Sequence, residues 1–198
     1  DAVHYLNLAE NGYRASYPGP TVFGVLTPFS FRAFDALLPG GLDLAAMVVE
    51  TLAFAVALTL LYRLCEVYFG DVELAPWAVA TLAMMPLSFL FAAPLSESIY
   101  LACVLGLFYF GAQGRWPAAA PGGLLATLAR SQGAILIVVA AALLLERQQV
   151  TSWKTRLIDG LRRGWVLALI PLGAVAFTLY RQQLGLPPVD KIYADYSY

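Results

Sequence analysis

The stretch that decides the fold is LDLAAMVVETLAFAVALTLLYRL, residues 42–64, in which apolar side chains run almost without interruption. A helix of this length crosses a bilayer hydrocarbon core of about 30 Å. Glu50 lies in its interior beside Val49, and we expect its carboxyl to be protonated or paired within a helical bundle, because a free charge at that depth is costly. The stretch therefore predicts a membrane-spanning helix.

The composition extends this prediction to the whole chain. Hydrophobic residues make up 60% of the 198 residues, charged residues make up 13%, and the mean hydropathy is +0.70. A soluble globular domain carries about 25% charged residues, so this chain has too little polar surface to coat a soluble particle. The formal net charge of -1 gives no basic field for nucleic acid, and the single histidine and two cysteines argue against a metal centre. The predicted fold class is an all-α, polytopic transmembrane helical bundle.

Four more apolar stretches follow the first one, over residues 76–93, 97–112, 118–145 and 165–180. The stretch 118–145 is too long for one simple span, and polar residues and glycine interrupt it at 130–133. It therefore predicts two short or broken helices that meet there. In this interpretation residues 42–181 hold the transmembrane helices and residues 182–198 form an outer loop.

Residues 1–41 are too rich in polar residues and prolines to span a membrane, and they predict interfacial helices in an outer loop. The first twelve are amphipathic, with a predicted apolar face made of Val3, Leu6, Leu8 and Ala9. Residues 22–38 predict a second interfacial or partly re-entrant helix, on which Arg32 and Asp35 are three residues apart and could pair.

The whole chain, residues 1–198, is predicted to be a single transmembrane domain. It begins with Asp1 and ends at Tyr198 in a polar, aromatic stretch. We therefore expect it to be part of a longer chain, with further helices at both ends.

The positive charges predict the orientation of the chain. If residues 1–41 face outward, most of the arginines and lysines fall in cytoplasmic loops, namely Arg63, Arg115, Arg147, Lys154, Arg156, Arg162 and Arg163. The excess of arginine over lysine and the abundance of alanine favour a bacterial source. The predicted location is thus the bacterial cytoplasmic membrane, or the endoplasmic reticulum membrane if the protein is eukaryotic.

Three polar clusters fall on the predicted outer side: Asp1-Ala-Val-His4-Tyr5, Leu95-Ser96-Glu97-Ser98 and Arg130-Ser131-Gln132. Ionisable groups at or inside a membrane are costly unless they pair or line a wet cavity, so the clusters predict a polar cavity open to the outside. Structural roles are the alternative for each cluster. Asp1 could be a solvated acid, Ser96 and Glu97 could cap a helix, and Arg130 could extend to the interface from a helix end.

Three blocks of the chain carry a family resemblance: DAVHYLNLAENGY at 1–13, MPLSFLFAAPLSESIY at 85–100, and GRW at 114–116 followed by LARSQG at 128–133. In this order and at similar separations they resemble the PIG-V family of GPI mannosyltransferases, whose prokaryotic relatives this chain would join. Leu95 stands where the family usually has tyrosine, and Gln132 where it has asparagine. The acceptor therefore need not be the family's own, and a prokaryotic member need not make GPI anchors.

The resemblance implies a GT-C type glycosyltransferase, a hexosyltransferase that moves mannose from a polyprenyl-phosphate donor to a lipid- or glycan-linked acceptor on the outer or luminal face. Asp1 would be the catalytic base. Arg130, with Arg32 behind it, would stabilise the leaving phosphate. The other residues expected to bind substrate are His4, Tyr5, Ser96, Glu97, Ser98 and Gln132. Besides membrane lipid, donor and acceptor, no partner and no cofactor or metal is implied.

Alternative functions remain open at this point. A protein mannosyltransferase or an aminoarabinose transferase relative would also carry an acidic outer loop, although usually with an Asp-Glu pair. A transporter or lipid flippase would predict paired half-helices in an inverted repeat, and the sequence has one interrupted segment and no repeat. The third alternative is a non-catalytic membrane scaffold.

Overall fold

The computed structural model describes residues 1–70, 72–146, 160, 162 and 164–195. No β-strand occurs among these residues, so the prediction of an all-α chain is confirmed. The α-helices are α1 (Ala2–Asn11), α2 (Leu26–Asp35), α3 (Gly41–Phe69), α4 (Leu74–Met84), α5 (Glu97–Ala112), α6 (Trp116–Ala129), α7 (Leu136–Glu146), α8 (Leu169–Gln183) and α9 (Val189–Asp195). Short 3-10 helices cover Gly19–Val22, Ser88–Phe91, Ser131–Ile135 and Trp165–Ala168.

Two helical segments in the described part of the chain are long and apolar enough to cross a membrane: α3, with 29 residues, and Trp165–Gln183, which contains α8. Only 28% and 33% of their most apolar stretches are buried, so side chains such as Leu52 and Val56 remain exposed. The predicted helix over 42–64 is confirmed as part of α3. It continues to Phe69, where Gly70 adopts the left-handed conformation (φ 67°) that commonly ends a helix.

The predicted continuous helix over residues 76–93 is wrong. α4 ends at Met84, and Met85 is extended (φ -62°, ψ 146°) before a 3-10 helix at Ser88–Phe91. Pro86 explains the end, because a proline disfavours helical backbone in the residue before it. At about 1.5 Å per residue, α4 reaches about 16 Å and is too short to cross a bilayer alone.

The predicted interruption near residues 130–133, here called the polar break, is confirmed. α6 ends at Ala129, Arg130 is extended (φ -147°, ψ 131°), and a 3-10 helix leads into α7. Gly133 lies against the last turn of α6, and a Cβ there would come within 2.5 Å of the Thr127 backbone nitrogen. The chain can fold back this closely only because residue 133 has no side chain.

Helix α6 carries small residues on the faces that meet its neighbours, a set here called the small-residue strip: Ala119, Ala120, Gly122, Gly123 and Ala126. A Cβ on Gly122 would lie 2.8 Å from the Cys103 carbonyl oxygen of α5, and one on Gly123 would lie 2.5 Å from Ile170 of α8. Small residues permit such close approach of helices. Since α5 and α6 form an antiparallel hairpin, the polar break comes to lie beside the start of α5.

Helix α1 packs across the ends of these helices with a different face from the predicted one. Tyr5, Leu8 and Ala9 are buried, whereas Val3 is 76% exposed. At about 100° per residue, positions 5, 8 and 9 share a face and position 3 lies nearly opposite its centre. Tyr5 and Ala9 belong to a core that also contains Phe31 of α2, Ala46 and Val49 of α3, Ile99 of α5 and Ala129 of α6.

The structure corrects two predictions about charged and C-terminal residues, and other predictions concern residues outside the described part of the chain. Arg32 and Asp35 form no ion pair in the structure. The predicted outer loop 182–198 contains α9, and its residues 196–198 are not described. Arg147, Lys154, Arg156 and Arg163, which the orientation uses, also lie outside the described residues.

Candidate functional site

A cavity of about 270 Å³ opens where three segments of the chain meet. Asp1, which precedes α1, lines it together with His4 and Tyr5 of α1. The polar break contributes Arg130, Ser131 and Gln132, and the loop before α2 contributes Val22, Phe23 and Gly24. Five predicted site residues therefore line one cavity: Asp1, His4, Tyr5, Arg130 and Gln132.

A hydrogen-bond network behind this cavity brings in the third predicted cluster. The Tyr5 hydroxyl donates to Ser96 Oγ at 2.8 Å, and Arg130 Nη1 donates to the same oxygen at 3.4 Å. Arg130 Nη1 also donates to Glu97 Oε1 at 2.7 Å, and the Ser96 backbone N–H donates to Glu97 Oε2 at 2.9 Å. Ser96 and Glu97 thus hold Arg130 and Tyr5 from behind, and neither lines the cavity.

The ion pair between Arg130 and Glu97 shapes the electrostatics of the site. Both side chains are 35% exposed, so solvent weakens the attraction, but the short charge-assisted hydrogen bond still fixes the direction of the guanidinium. Glu97 compensates the charge of Arg130. Arg130 can donate hydrogen bonds into the cavity without adding net positive charge.

Tyr5 is a buried phenol between α1 and α5. Burial raises the pKa of Tyr5 above its ordinary value, while the hydrogen bond to Ser96 and the charge of Arg130 act in the opposite direction. The phenol is therefore neutral at physiological pH and acts as a hydrogen-bond donor to Ser96.

Phe23 forms an aromatic wall that supports both histidine and tyrosine. The His4 and Phe23 rings stack with centroids 5.7 Å apart, and the Tyr5 and Phe23 rings are 4.9 Å apart. A residue outside the three polar clusters thus orients two site residues. Phe23 follows a proline-rich loop, and nothing in the sequence indicates which side chains it contacts.

Asp1 precedes α1 at the edge of the cavity. Its backbone carbonyl accepts hydrogen bonds from the N–H groups of His4 and Tyr5, at 2.9 and 3.2 Å, and so begins the helix. Its carboxylate caps no N–H group of α1 and pairs with no described cation. The carboxylate is exposed and available to a molecule in the cavity.

Four predicted site residues do not line the cavity: Ser96 and Glu97 lie behind it, and Arg32 and Ser98 lie elsewhere. Arg32 is exposed on α2 and does not line the cavity, so the structure does not place it behind Arg130. Ser98 is fully buried and donates to the Phe91 carbonyl at 2.6 Å, which ties α5 to the preceding 3-10 helix. Ser96 occupies the N-cap position before α5, but its hydroxyl caps no backbone N–H group, contrary to the structural alternative.

Tyr193 of α9 completes the lining from the far end of the chain. The sequence predicts a loop over residues 182–198 and no role for Tyr193. Among the described residues, no three histidine, cysteine, aspartate or glutamate side chains are grouped as metal ligands would be.

No protein-family model matches the chain, and neither does any curated protein or any solved structure.

Proposed function

We propose that the chain belongs to an integral membrane glycosyltransferase that transfers a sugar from a polyprenyl-phosphate donor to a lipid- or glycan-linked acceptor. The sugar we propose is mannose. The observation that carries the proposal is the convergence of the three polar blocks. Tyr5 and Ser96 are 91 positions apart and Arg130 and Glu97 are 33 apart, yet their side chains form one network beside one cavity.

The exposed apolar surface supports a membrane location. α3 would extend about 43 Å at 1.5 Å per residue, which exceeds the hydrocarbon core of a bilayer. Its outward side chains include Leu44, Met47, Leu52 and Val56, all exposed. Large contiguous apolar surfaces are rare on soluble monomers and mark contact with lipid or protein. We assign the shorter helices to a polytopic bundle with the cavity on the outer face.

The proposed chemistry assigns roles to three residues of the cavity, Asp1, Arg130 and Gln132. The Asp1 carboxylate takes the proton of the acceptor hydroxyl as the acceptor oxygen bonds to the anomeric carbon of the donor sugar. The bond from that carbon to the phosphate oxygen breaks, and the lipid phosphate leaves with the electron pair. Arg130 and Gln132 donate hydrogen bonds to the sugar or the phosphate, and the acid form of Asp1 then releases its proton to water.

The test is a transfer assay on membranes that contain the full-length protein, with labelled polyprenyl-phosphate mannose as donor. Asp1→Asn should reduce lipid- or glycan-linked product to background at an equal protein level. Asp43→Asn is the matched control, since Asp43 is an exposed acid of α3 that does not line the cavity. Equal product from wild type and Asp1→Asn would remove Asp1 from the mechanism.

A different failure would point to another class of protein. If the wild type gives no product with this donor or with a panel of other lipid-phosphate sugars, the glycosyltransferase proposal fails. The transporter, flippase and scaffold alternatives would then be preferred.

A further inference from the structure

A second cavity, of about 360 Å³, lies beside the first and shares Val22, Ser131 and Tyr193 with it. The rest of its lining comes from Thr127 of α6, from α8 and from the segment that follows α8. Phe177 and Leu186 provide apolar walls, and Arg181 is the charged residue of the lining. The two cavities therefore adjoin, with polar groups of α1 at one end and an arginine at the other.

Arg181 is held firmly but only by neutral groups. Its Nη1 donates to the Thr21 carbonyl and, at 3.1 Å, to the Thr21 hydroxyl, and its Nη2 donates to the Pro187 carbonyl at 2.7 Å. The guanidinium carbon also lies 5.7 Å from the centre of the Phe177 ring. These contacts use three of the five N–H donors of a guanidinium and leave two for another acceptor.

The charge of Arg181 is not compensated within the described part of the chain. The residue is 4% exposed, and no described carboxylate forms an ion pair with it. Buried charges in proteins are normally paired, because burial without a counter-ion is costly. Arg130 differs in this respect, since Glu97 already neutralises it. The uncompensated positive charge of Arg181 thus lies in the second cavity, and an anionic ligand would compensate it.

The surroundings of Arg181 define the kind of anion. The cavity contains Ala174, Phe177 and Thr178, one to two turns before Arg181 on α8. Next to this face, Val175 and Leu179 are exposed on the outward side of the same helix. A ligand that places an anionic group on Arg181 could continue along α8 over apolar surface. This arrangement suits an amphiphile better than a small free anion.

We propose that the second cavity binds the phosphate group of a lipid phosphate through Arg181, with the start of the lipid chain against Phe177, Leu186 and the outward side of α8. The guanidinium fork matches two phosphate oxygens. The identification of this lipid with the sugar donor rests on the proposed glycosyltransferase function. The shared residues Val22, Ser131 and Tyr193 would then place the sugar next to the phosphate, in the first cavity.

The test compares binding of a labelled polyprenyl phosphate and the matching uncharged polyprenol to the full-length protein in lipid nanodiscs. The wild type should prefer the phosphate, and Arg181→Gln should reduce that preference by about tenfold or more, since a charged hydrogen-bonded pair is lost. Arg181→Lys should retain part of the preference. Arg32→Gln, which changes an exposed arginine outside both cavities, should bind as the wild type does.

Two further measurements keep the proposal falsifiable if Arg181→Gln fails to fold. Thr178→Trp, at an exposed position that lines the cavity, should weaken binding of both lipids while the protein stays folded. Competition distinguishes the source of the phosphate: inorganic phosphate or phosphatidylglycerol at equal concentration should displace little of the polyprenyl phosphate. Effective competition by either would overturn the assignment to a polyprenyl lipid.

The inference and the proposed function fail separately. An unchanged preference in Arg181→Gln, or no preference in the wild type, overturns the phosphate site even if sugar transfer occurs. Phosphate preference that depends on Arg181, together with an absence of sugar transfer, supports the site and removes the transferase proposal.

Discussion

The hydroxyl oxygen of Ser96 is the smallest feature on which the candidate site depends. Tyr5 reaches it from α1 and Arg130 reaches it from the polar break, at 2.8 and 3.4 Å. Ser96 is buried, so water could not replace it if the hydroxyl were removed, and the buried Tyr5 donor would lose its partner. One atom thus connects three segments that are distant along the chain.

We expect Tyr5→Phe to lower both stability and transfer. The ring keeps its contact with Phe23, but the hydrogen bond to Ser96 is lost, which costs about 1 kcal/mol. The thermal midpoint of the purified full-length protein and the rate of sugar transfer would be measured together. Ser30→Ala is the control, because it removes a hydrogen bond of 2.8 Å to the Leu26 carbonyl within α2, outside both cavities.

Ser30→Ala should lower the midpoint by no more than Tyr5→Phe does and leave the transfer rate per folded molecule near that of the wild type. If the two variants lose transfer to the same extent, the link between Tyr5, Ser96 and Arg130 has no functional role.

At the residue scale, the sequence allowed most of the polar side chains of the cavity lining to be predicted but not the supporting contacts. Arg130 stands out as a charged residue that interrupts an apolar run, whereas Asp1 and His4 are indicated by the resemblance that residues 1–13 carry. Arg32 was wrongly placed and Arg181 was given no role, because the direction of a long side chain depends on tertiary neighbours. Nothing in the sequence shows that Thr21 and Pro187 lie next to residue 181.

At the scale of elements, helix ends with a local cause were predictable. The bounds of α5 agree with the predicted stretch 97–112, and the polar break falls where charge and glycine interrupt the apolar run. The early end of α4 also has a local cause in Pro86, although the hydropathy of the stretch obscured it. The buried face of α1 was not predictable from hydropathy, since Tyr5 is buried by neighbours that come from α2, α3, α5 and α6.

We expect Gly133→Ala to displace the polar break. The added methyl group would come within 2.5 Å of backbone atoms of Thr127, which cannot move without shifting α6, so a loss of about 1–3 kcal/mol is expected. Gly106→Ala is the matched control, because its Cβ would meet only Leu60 at 3.8 Å and alanine favours a helix.

Thermal unfolding of the two variants would measure the difference. Gly133→Ala should be clearly less stable than the wild type, whereas Gly106→Ala should equal or exceed it. Equal midpoints would mean that the close approach at residue 133 is easily relieved, and that the position of Arg130 does not depend on it.

For the whole molecule, the prediction that matters is the orientation in the membrane. α1 and the cavity lie at one end of α3, and the turn between α5 and α6 lies at the opposite end of α5 from Glu97. With Cys65 and Cys103 replaced by alanine, Val3→Cys should react with a membrane-impermeant maleimide added outside intact cells. Arg115→Cys should react only after the membrane is opened.

The opposite labelling pattern would place the cavity on the cytoplasmic face and contradict the orientation. Reaction of both cysteines from outside would contradict the assignment of α5 as a membrane-crossing helix. Both positions are exposed, so a lack of labelling at each would not arise from burial within the chain.

The small-residue strip of α6 has a mechanical consequence for the two cavities. A Cβ on Gly122 would meet backbone of α5, and one on Gly173 of α8 would lie 3.0 Å from the Leu124 carbonyl oxygen of α6, so helix backbone largely sets these two separations. Thermal motion of side chains can then change the shape of each cavity without changing the distance between Glu97 and Arg181. The spacing between the helices that carry Glu97 and Arg181 then changes only when the helices themselves move apart.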